Sequence, residues 1–210
     1  MTVTISSPLD IVIATNNRDK IREIRSILNL PQIRWRTLSE FPPMSPVVED
    51  GNTLYENALK KARMISHATG LPALADDTGL EVDVLDGAPG IWSARWAGPQ
   101  ATYADNVRKM VEAIRNVEPG RRQARFRTVA VFVHQEEILK AEGVLEGLIL
   151  DQPRGSDGFG YDPVFYIPAH GRTLAEMSLA DKNGLSHRGL AFREIGRLLM
   201  AWLTAFNCKR

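Results

Sequence analysis

Ala75-Asp76-Asp77-Thr78-Gly79 places two adjacent carboxylates at the exit of a short apolar run, Leu71–Ala75. Adjacent acids where a strand meets a loop suit divalent-metal binding or base catalysis, because the strand holds them still and the loop admits substrate. The same pair can instead cap the turn signalled by Thr78-Gly79, accepting backbone N–H bonds. A second group, Thr15-Asn16-Asn17-Arg18-Asp19-Lys20, lies between a β-branched run and a helical pattern. A helix that starts there presents free N–H groups and a partial positive charge, a natural anion site. Thr15 and Asn16 add hydrogen bonds and Lys20 adds a full charge; the plainer alternative is that Asn17 caps the helix and Lys20 is solvated. The Gly-x-x-x-x-Gly-Lys-[Ser/Thr] pattern is absent, so this is not a P-loop.

Three further groups complete the set. Glu49-Asp50 could supply a second acid beside Asp77 for magnesium, which takes few carboxylates and keeps sites for water and phosphate; otherwise it is an exposed acidic loop. Gly155–Asp162 holds three glycines in six positions, with Phe159 and Tyr161 flanking the last of them. Such a loop lets backbone approach a ligand, and the two rings offer faces for a nucleobase, although a hairpin or bulge explains the glycines equally well. Lys182, His187 and Arg188 carry donors for phosphate or for carbonyl acceptors on a base edge, or they are simply surface residues.

The elements that must hold these residues follow from periodicity. Leu9–Ala14 is a β-branched strand, and Ile21, Ile24, Ile27 and Leu28 then recur at helical spacing. Ile33–Leu38 is a weaker strand. Pro42, Pro43 and Pro46 make Phe41–Asp50 a surface loop. Thr53-Leu54-Tyr55-Glu56 is a capping box, and it opens a helix with Leu54, Ala58, Ala62 and Ile65 on one stripe. Thr102–Asp105 starts another helix. Arg125–Val133 and Ile138–Leu150, joined by the polar stretch His134–Glu137, predict an antiparallel hairpin. A last helix spans about His187 to Phe206. Parallel-type units plus a long hairpin argue for an α/β fold with a mixed sheet.

Composition narrows the classes. The chain has 210 residues, enough for one domain (9–210) with a sizeable core after a short extension, Met1–Pro8. Its 26 Lys and Arg against 25 Asp and Glu give a net charge of +1, so nothing points to nucleic acid or an anionic membrane surface. Any anionic ligand must be held by a local cluster. No run of 18 apolar residues predicts a membrane span. The first ten residues do not read as a secretory signal, and a single cysteine, Cys208, fits a reducing cytoplasm.

Taken in order, Ala14–Lys20, Glu56-Asn57-Ala58, Ala75–Leu80, Gly87-Ala88-Pro89-Gly90, Ser93-Ala94-Arg95, Gly158–Pro163 and Ser186-His187-Arg188-Gly189 resemble the inosine triphosphate pyrophosphatase family over nearly the whole chain. The resemblance implies an elongated two-lobed α/β fold with a central mixed sheet and a nucleotide cleft between the lobes. It implies magnesium-dependent hydrolysis of ITP, dITP or XTP to the monophosphate and pyrophosphate, by a homodimer. Position by position, it implies that Thr15, Asn16, Asn17, Arg18, Asp19 and Lys20 bind the triphosphate and that Asp77 is base and metal ligand. Glu49 would be a second metal contact and Thr78 a substrate contact. Phe159, Gly160, Tyr161 and Asp162 would wall the base and ribose, with Lys182, His187 and Arg188 completing base recognition; Asp76 would serve as support. Two positions depart from the pattern, Asn16 where many members carry Gly, and Glu49-Asp50 where relatives often show two glutamates. A pyrophosphatase for modified pyrimidine nucleotides and a non-catalytic nucleotide sensor are the rival readings.

Overall fold

The structure is a computed structural model that describes residues 8–208, so the expected extension Met1–Pro8 lies, apart from Pro8, outside the described residues. β1 (Leu9–Ile13) is followed by α1 (Arg18–Ile27), β2 (Ile33–Thr37), α2 (Leu54–Thr69), β3 (Ala73–Val82), the two-residue β4 (Pro89–Gly90) and α3 (Tyr103–Ala113). Then come β5 (Gln123–His134), β6 (Glu137–Ile149), β7 (Phe165–Ile167), β8 (Arg172–Thr173), α4 (Leu179–Leu185) and α5 (His187–Cys208). The strands form one sheet in the order β2-β1-β3-β5-β6-β7-β8, with β4 paired to β3. β1 runs parallel to β2 and β3, whereas β3, β5, β6, β7 and β8 pair antiparallel. The sheet is therefore mixed, as the sequence pattern predicts. Three short elements, β7, β8 and α4, had no sequence expectation, and Gly87–Gly90, which reads as a loop, contributes β4 because Pro89 and Gly90 pair with Glu81 and Leu80 of β3.

Side-chain alternation explains how the sheet is covered. Ile11, Ile13, Leu74 and Phe132 face α1 and α5, packing on Ile24, Phe192, Ile195 and Leu199. Their neighbours Val12, Ala73, Ala75, Val129 and Val131 face the opposite way, onto Ala58, Ala62 and Ile65 of α2. A separate apolar cluster gathers further along the same strands, with Leu80, Val82, Ala124, Phe126 and Ile149 packed against Val107 and Met110 of α3 and against Phe165. β3 and β5 thus run from one core to another. Between the cores both strands turn polar, at Asp76-Asp77-Thr78 on β3 and Thr128 on β5.

That polar stretch corrects the expectation of a brief strand ending in a turn. β3 continues for ten residues, and Asp76, Asp77, Thr78 and Gly79 pair with Ala130, Val129, Thr128 and Arg127 of β5. The carboxylates do not stop the strand because each finds cationic partners on its own face. Gly79 is there for close approach and not for a turn: a Cβ would stand 2.8 Å from the Gly90 carbonyl oxygen of β4. Gly143 on β6 does the same for α5, where a Cβ would stand 2.0 Å from the His187 carbonyl oxygen. This contact seats the first turn of α5, with His187 and Arg188, directly on the sheet.

Candidate active site

A cavity of about 720 Å³ opens over the polar gap between the cores. Thr15, Asn16, Asn17, Lys20, Glu49, Asp77, Thr78, Phe159, Gly160, Tyr161, Asp162, Lys182, His187 and Arg188 all line it. Arg18 and Asp19 are not among its lining residues, because they lie on the outer side of the first turn of α1. Arg18 is exposed, and the Asp19 carboxylate lies 3.9 Å from Arg22 one turn on.

At one end sits the turn between β1 and α1. The Asn17 Oδ1 accepts from the backbone N–H of Asp19 at 3.0 Å and of Lys20 at 3.2 Å, and the Thr15 Oγ1 accepts from the Asn17 N–H at 3.1 Å. These side chains build the turn and leave the helix terminus facing the cavity. Lys20 reaches back from the first turn to Asp76, 2.9 Å away. Burial lowers its pKa, opposed by Asp76 and assisted by Lys61 and Arg188.

The two central carboxylates face opposite sides of β3, since successive strand residues do. Asp77 points to α2, where the Lys61 Nζ lies 3.1 Å from its Oδ1 and the Asn57 Nδ2 lies 3.3 Å from its Oδ2. The same ammonium lies 2.8 Å from the Glu49 Oε1, so Glu49 and Asp77 converge on one cation. Burial raises the pKa of Asp77, with Glu49 adding to the rise while Lys61 and Lys20 oppose it. Burial pushes Glu49 up as well, but Lys61, Lys20 and Arg95 outweigh it and leave the pKa lowered.

Asp76 points the other way. Besides Lys20, its Oδ2 meets the Arg188 Nη2 at 3.4 Å and the Thr78 hydroxyl at 3.2 Å, with the side chain wholly buried. Arg188 continues to Glu23 at 2.6 Å, Glu23 to Lys182 at 2.7 Å, and Lys182 to Asp162 at 2.5 Å. An unbroken line of alternating charges therefore crosses beneath the cavity, from Lys20 to Asp162. Burial pushes the Asp76 carboxyl up, but Lys20, Arg188 and Lys61 together hold it well below the usual carboxylate range. For Arg188 the loss from burial is outweighed by Asp76 and Glu23, and its pKa is raised.

The far end is aromatic. The Lys182 Nζ lies 4.8 Å and the Arg188 Cζ 5.4 Å from the centre of the Phe159 ring, whose backbone N–H donates to Asp162. Tyr161 presents part of its edge to the cavity, but its ring belongs to the apolar core around α3 and its hydroxyl donates to the Ser93 carbonyl. The His187 Nδ1 lies 2.6 Å from the Thr128 hydroxyl and its ring stacks on Phe126 at 4.6 Å. Burial drives its pKa well below the ordinary value, assisted by the neighbouring Arg188 and Lys182. His187 is accordingly expected to stay neutral from pH 8 down through pH 6, where a free imidazole takes a proton. Its ring carbons in an NMR titration should show no protonation step in that range; a normal midpoint near 6.5 would contradict the buried arrangement. Folding then holds His187 neutral while the unfolded chain protonates, so its contribution is complete above the unfolded value and declines as pH falls below it.

Sequence reasoning assigned no role to Glu23, Asn57, Lys61, Arg95 or Tyr103. A signal existed for three of them. Asn57 and Lys61 fall on the inward stripe of α2 with Leu54, Ala58, Ala62 and Ile65, and Glu23 adjoins Ile24 on the inward face of α1. A charged residue on a core-facing stripe needs a buried partner. Arg95 holds the acidic loop by donating from its Nη2 to the Glu49 carbonyl at 2.8 Å, with its guanidinium over Trp92. The proline-bearing loop, a surface loop as expected, also forms one wall of the cavity through Pro42, Pro43, Met44 and Pro46.

Residues 11–197 match the family model described as the Ham1 family. The chain belongs to the Ham1 family. It is 49% identical over 199 residues to the dITP/XTP pyrophosphatase of Syntrophobacter fumaroxidans, covering 93% of this chain and 85% of that protein. It is 42% identical to the dITP/XTP pyrophosphatase of Coxiella burnetii, covering 91% of this chain and 96% of the other. Among solved structures, a HAM1 protein from Coxiella burnetii superposes with a TM-score of 0.82 at 41% identity, covering 92% of this chain and 99% of that one. The Ham1 protein of Staphylococcus aureus also gives 0.82, at 36% identity, covering 91% and 98%. The family resemblance read from the motifs, and the mixed α/β fold it implied, are therefore correct for this member of the Ham1 family.

Proposed function

We propose that this Ham1-family chain hydrolyses non-standard purine nucleoside triphosphates (ITP, dITP, XTP) to the nucleoside monophosphate and pyrophosphate, removing damaged purines from the nucleotide pool. The observation that carries the reading is one cavity holding, side by side, an anion-binding turn with Lys20, the Glu49–Lys61–Asp77 cluster and a wall of buried donors beside an aromatic ring. The triphosphate lies along the turn, where the positive end of the α1 dipole, Lys20 and Lys61 take up its charge, while the Asp19 and Lys20 N–H groups stay with the Asn17 cap. Asp77, buried and with a raised pKa, accepts the proton of the attacking water as it adds to the α-phosphorus. Pyrophosphate leaves toward Lys20. Fixed charges aimed at the transferring group are worth more here than in water, because the site is largely buried.

Glu49 and Asp77 fit a magnesium ion. Both carboxylates already converge on a single cation, the Lys61 ammonium, and a two-carboxylate set suits magnesium that shares its remaining positions with water and phosphate. Among the described residues no three His, Cys, Asp or Glu side chains converge, so the donor set relies on substrate and not on an all-protein cage. When bound, the ion would supply Lewis-acid charge for the phosphate oxygens.

Base selection follows from uncommitted donors. The Arg188 Nε–H is buried without a hydrogen-bond partner among the described residues, and Lys182 has two carboxylates for its three N–H groups. A 6-carbonyl, as in hypoxanthine or xanthine, accepts from such donors, whereas the 6-amino group of adenine faces donor with donor. Sites built on a specific hydrogen bond reject the wrong group by about 10⁴ or more. Pyrophosphate release from ITP, XTP, GTP, dUTP and ATP, with and without magnesium, tests the reading. ITP and XTP are expected to lead ATP by about that factor, and only with the metal. Preference for dUTP, or tight ITP binding without pyrophosphate release, would replace it by one of the rival functions. A homodimer in the cytoplasm belongs to the same proposal, and sedimentation should give the mass of two chains. Among the described residues no helix is long and apolar enough to cross a membrane.

A further inference from the structure

Tyr103 opens α3 and lines the cavity together with the turn that precedes α1. It is 43% exposed, one of the few large apolar side chains left so open. Its hydroxyl lies 2.9 Å from the Asn17 Nδ2, a contact across 86 residues of sequence, and its ring centre lies 5.7 Å from that of Phe159. The side chain therefore bridges the cavity mouth between the anion-binding turn and the aromatic wall.

The direction of the bond to Asn17 is determined by the helix cap. The Asn17 Oδ1 accepts from two backbone N–H groups, Asp19 and Lys20, which cannot act as acceptors. The amide must then present its NH₂ to Tyr103, and the tyrosine oxygen must be the acceptor. The phenolic proton is left over. No acceptor among the described residues takes it, and the residue lines the cavity beside Asn16, Asn17 and Lys20. A free O–H next to a helix N-terminus and a lysine is suited to an anionic oxygen, where such bonds are short and strong.

We propose that Tyr103 is a substrate-binding residue whose hydroxyl, oriented by Asn17, donates to a phosphate oxygen of the triphosphate and closes the cavity mouth over it. The inference rests on the nucleoside triphosphate reading for the class of ligand. It gives the cap residue a second task, since Asn17 both builds the phosphate turn and aims a donor carried by α3. It also gives α3 a role in binding that none of the recognised motifs assigns.

Tyr103→Phe removes only the hydroxyl, at a half-exposed position where the fold does not depend on it. Calorimetric titration with inorganic tripolyphosphate, at one magnesium concentration for both proteins, is expected to show binding weakened by about tenfold. Titration with inosine, which has no phosphate, is expected to stay within about twofold of the unsubstituted protein. In turnover of ITP the KM should rise in parallel with kcat nearly unchanged, as for a contact made equally in ground and transition states. Unchanged tripolyphosphate binding overturns the proposal, and so does equal weakening of tripolyphosphate and inosine, which would mean a general loosening of the site. Neither titration depends on turnover, so failure of the parent protein to release pyrophosphate from ITP would overturn the functional reading and leave this one to be judged by binding.

Discussion

Asp77→Asn is expected to lower kcat for ITP by at least about 10²- to 10⁴-fold, the range for loss of a positioned general base, with a further loss from the metal site. The substitution keeps the shape of a side chain that is only 7% exposed, and it leaves Lys61 paired to Glu49 at 2.8 Å. Neither partner is stranded, so thermal unfolding should change little while steady-state pyrophosphate release collapses. The pH profile provides an independent check. Burial raises the pKa of Asp77, and a base works only when deprotonated. The rate should therefore fall as pH drops through the Asp77 value, which a bound magnesium ion would pull back down, and Asp77→Asn should abolish that limb. Near-normal turnover in Asp77→Asn would remove Asp77 from the mechanism.

Asp76→Ala is expected to act on stability first, by about 3–5 kcal/mol, the usual cost of taking one partner from a buried ion pair. Its side chain is fully buried between Lys20 at 2.9 Å and Arg188 at 3.4 Å. Removing it leaves Lys20, largely buried, without its carboxylate and leaves Arg188 with Glu23 as its one paired acid, with Lys61 acting on Lys20 from the other face of β3. Urea unfolding monitored by tryptophan fluorescence measures the loss. The sign of the pH dependence follows from the depressed pKa. The unfolded chain binds a proton at Asp76 before the folded one does, so the contribution is complete above about pH 4 and drains away as pH falls below it. Asp76→Ala should lose that acid-side slope. A stability within about 1 kcal/mol of the parent protein would show that Lys20 and Arg188 find other partners.

These two outcomes separate neighbours that the chain presents as equals. Asp76 and Asp77 are identical in type and adjacent, and each is an acid beside an apolar run. The strand sends one toward α1 and α5 and the other toward α2. Only the second meets Glu49, and only the first joins the line of charges through Arg188 and Glu23.

Much of this protein is determined locally. The β-branched runs, the capping boxes and the inward stripe of α2 specify strands and helices through neighbouring residues, so the elements and the antiparallel hairpin are legible without tertiary knowledge. The same holds for the turn before α1, because Asn17 builds it from bonds to residues two and three positions on. Ordered motifs sufficed to identify the family, since each encodes a local geometry. What only the tertiary structure decided was which side chains share a dielectric environment. Asp76-Asp77-Thr78-Gly79 reads as a turn by residue type, yet it is mid-strand because β5 pairs with it and cations from three helices neutralise it. Lys61 and Tyr103 reach the cavity from elements far apart in the chain, Glu23 joins Arg188 and Lys182 beneath it, and Arg18 and Asp19 lie outside it because helix rotation carries them outward. Backbone preference is a short-range property. Charge pairing and burial act between residues that only the fold brings together, and for that reason the candidate site was legible as a set of motifs but not as a geometry.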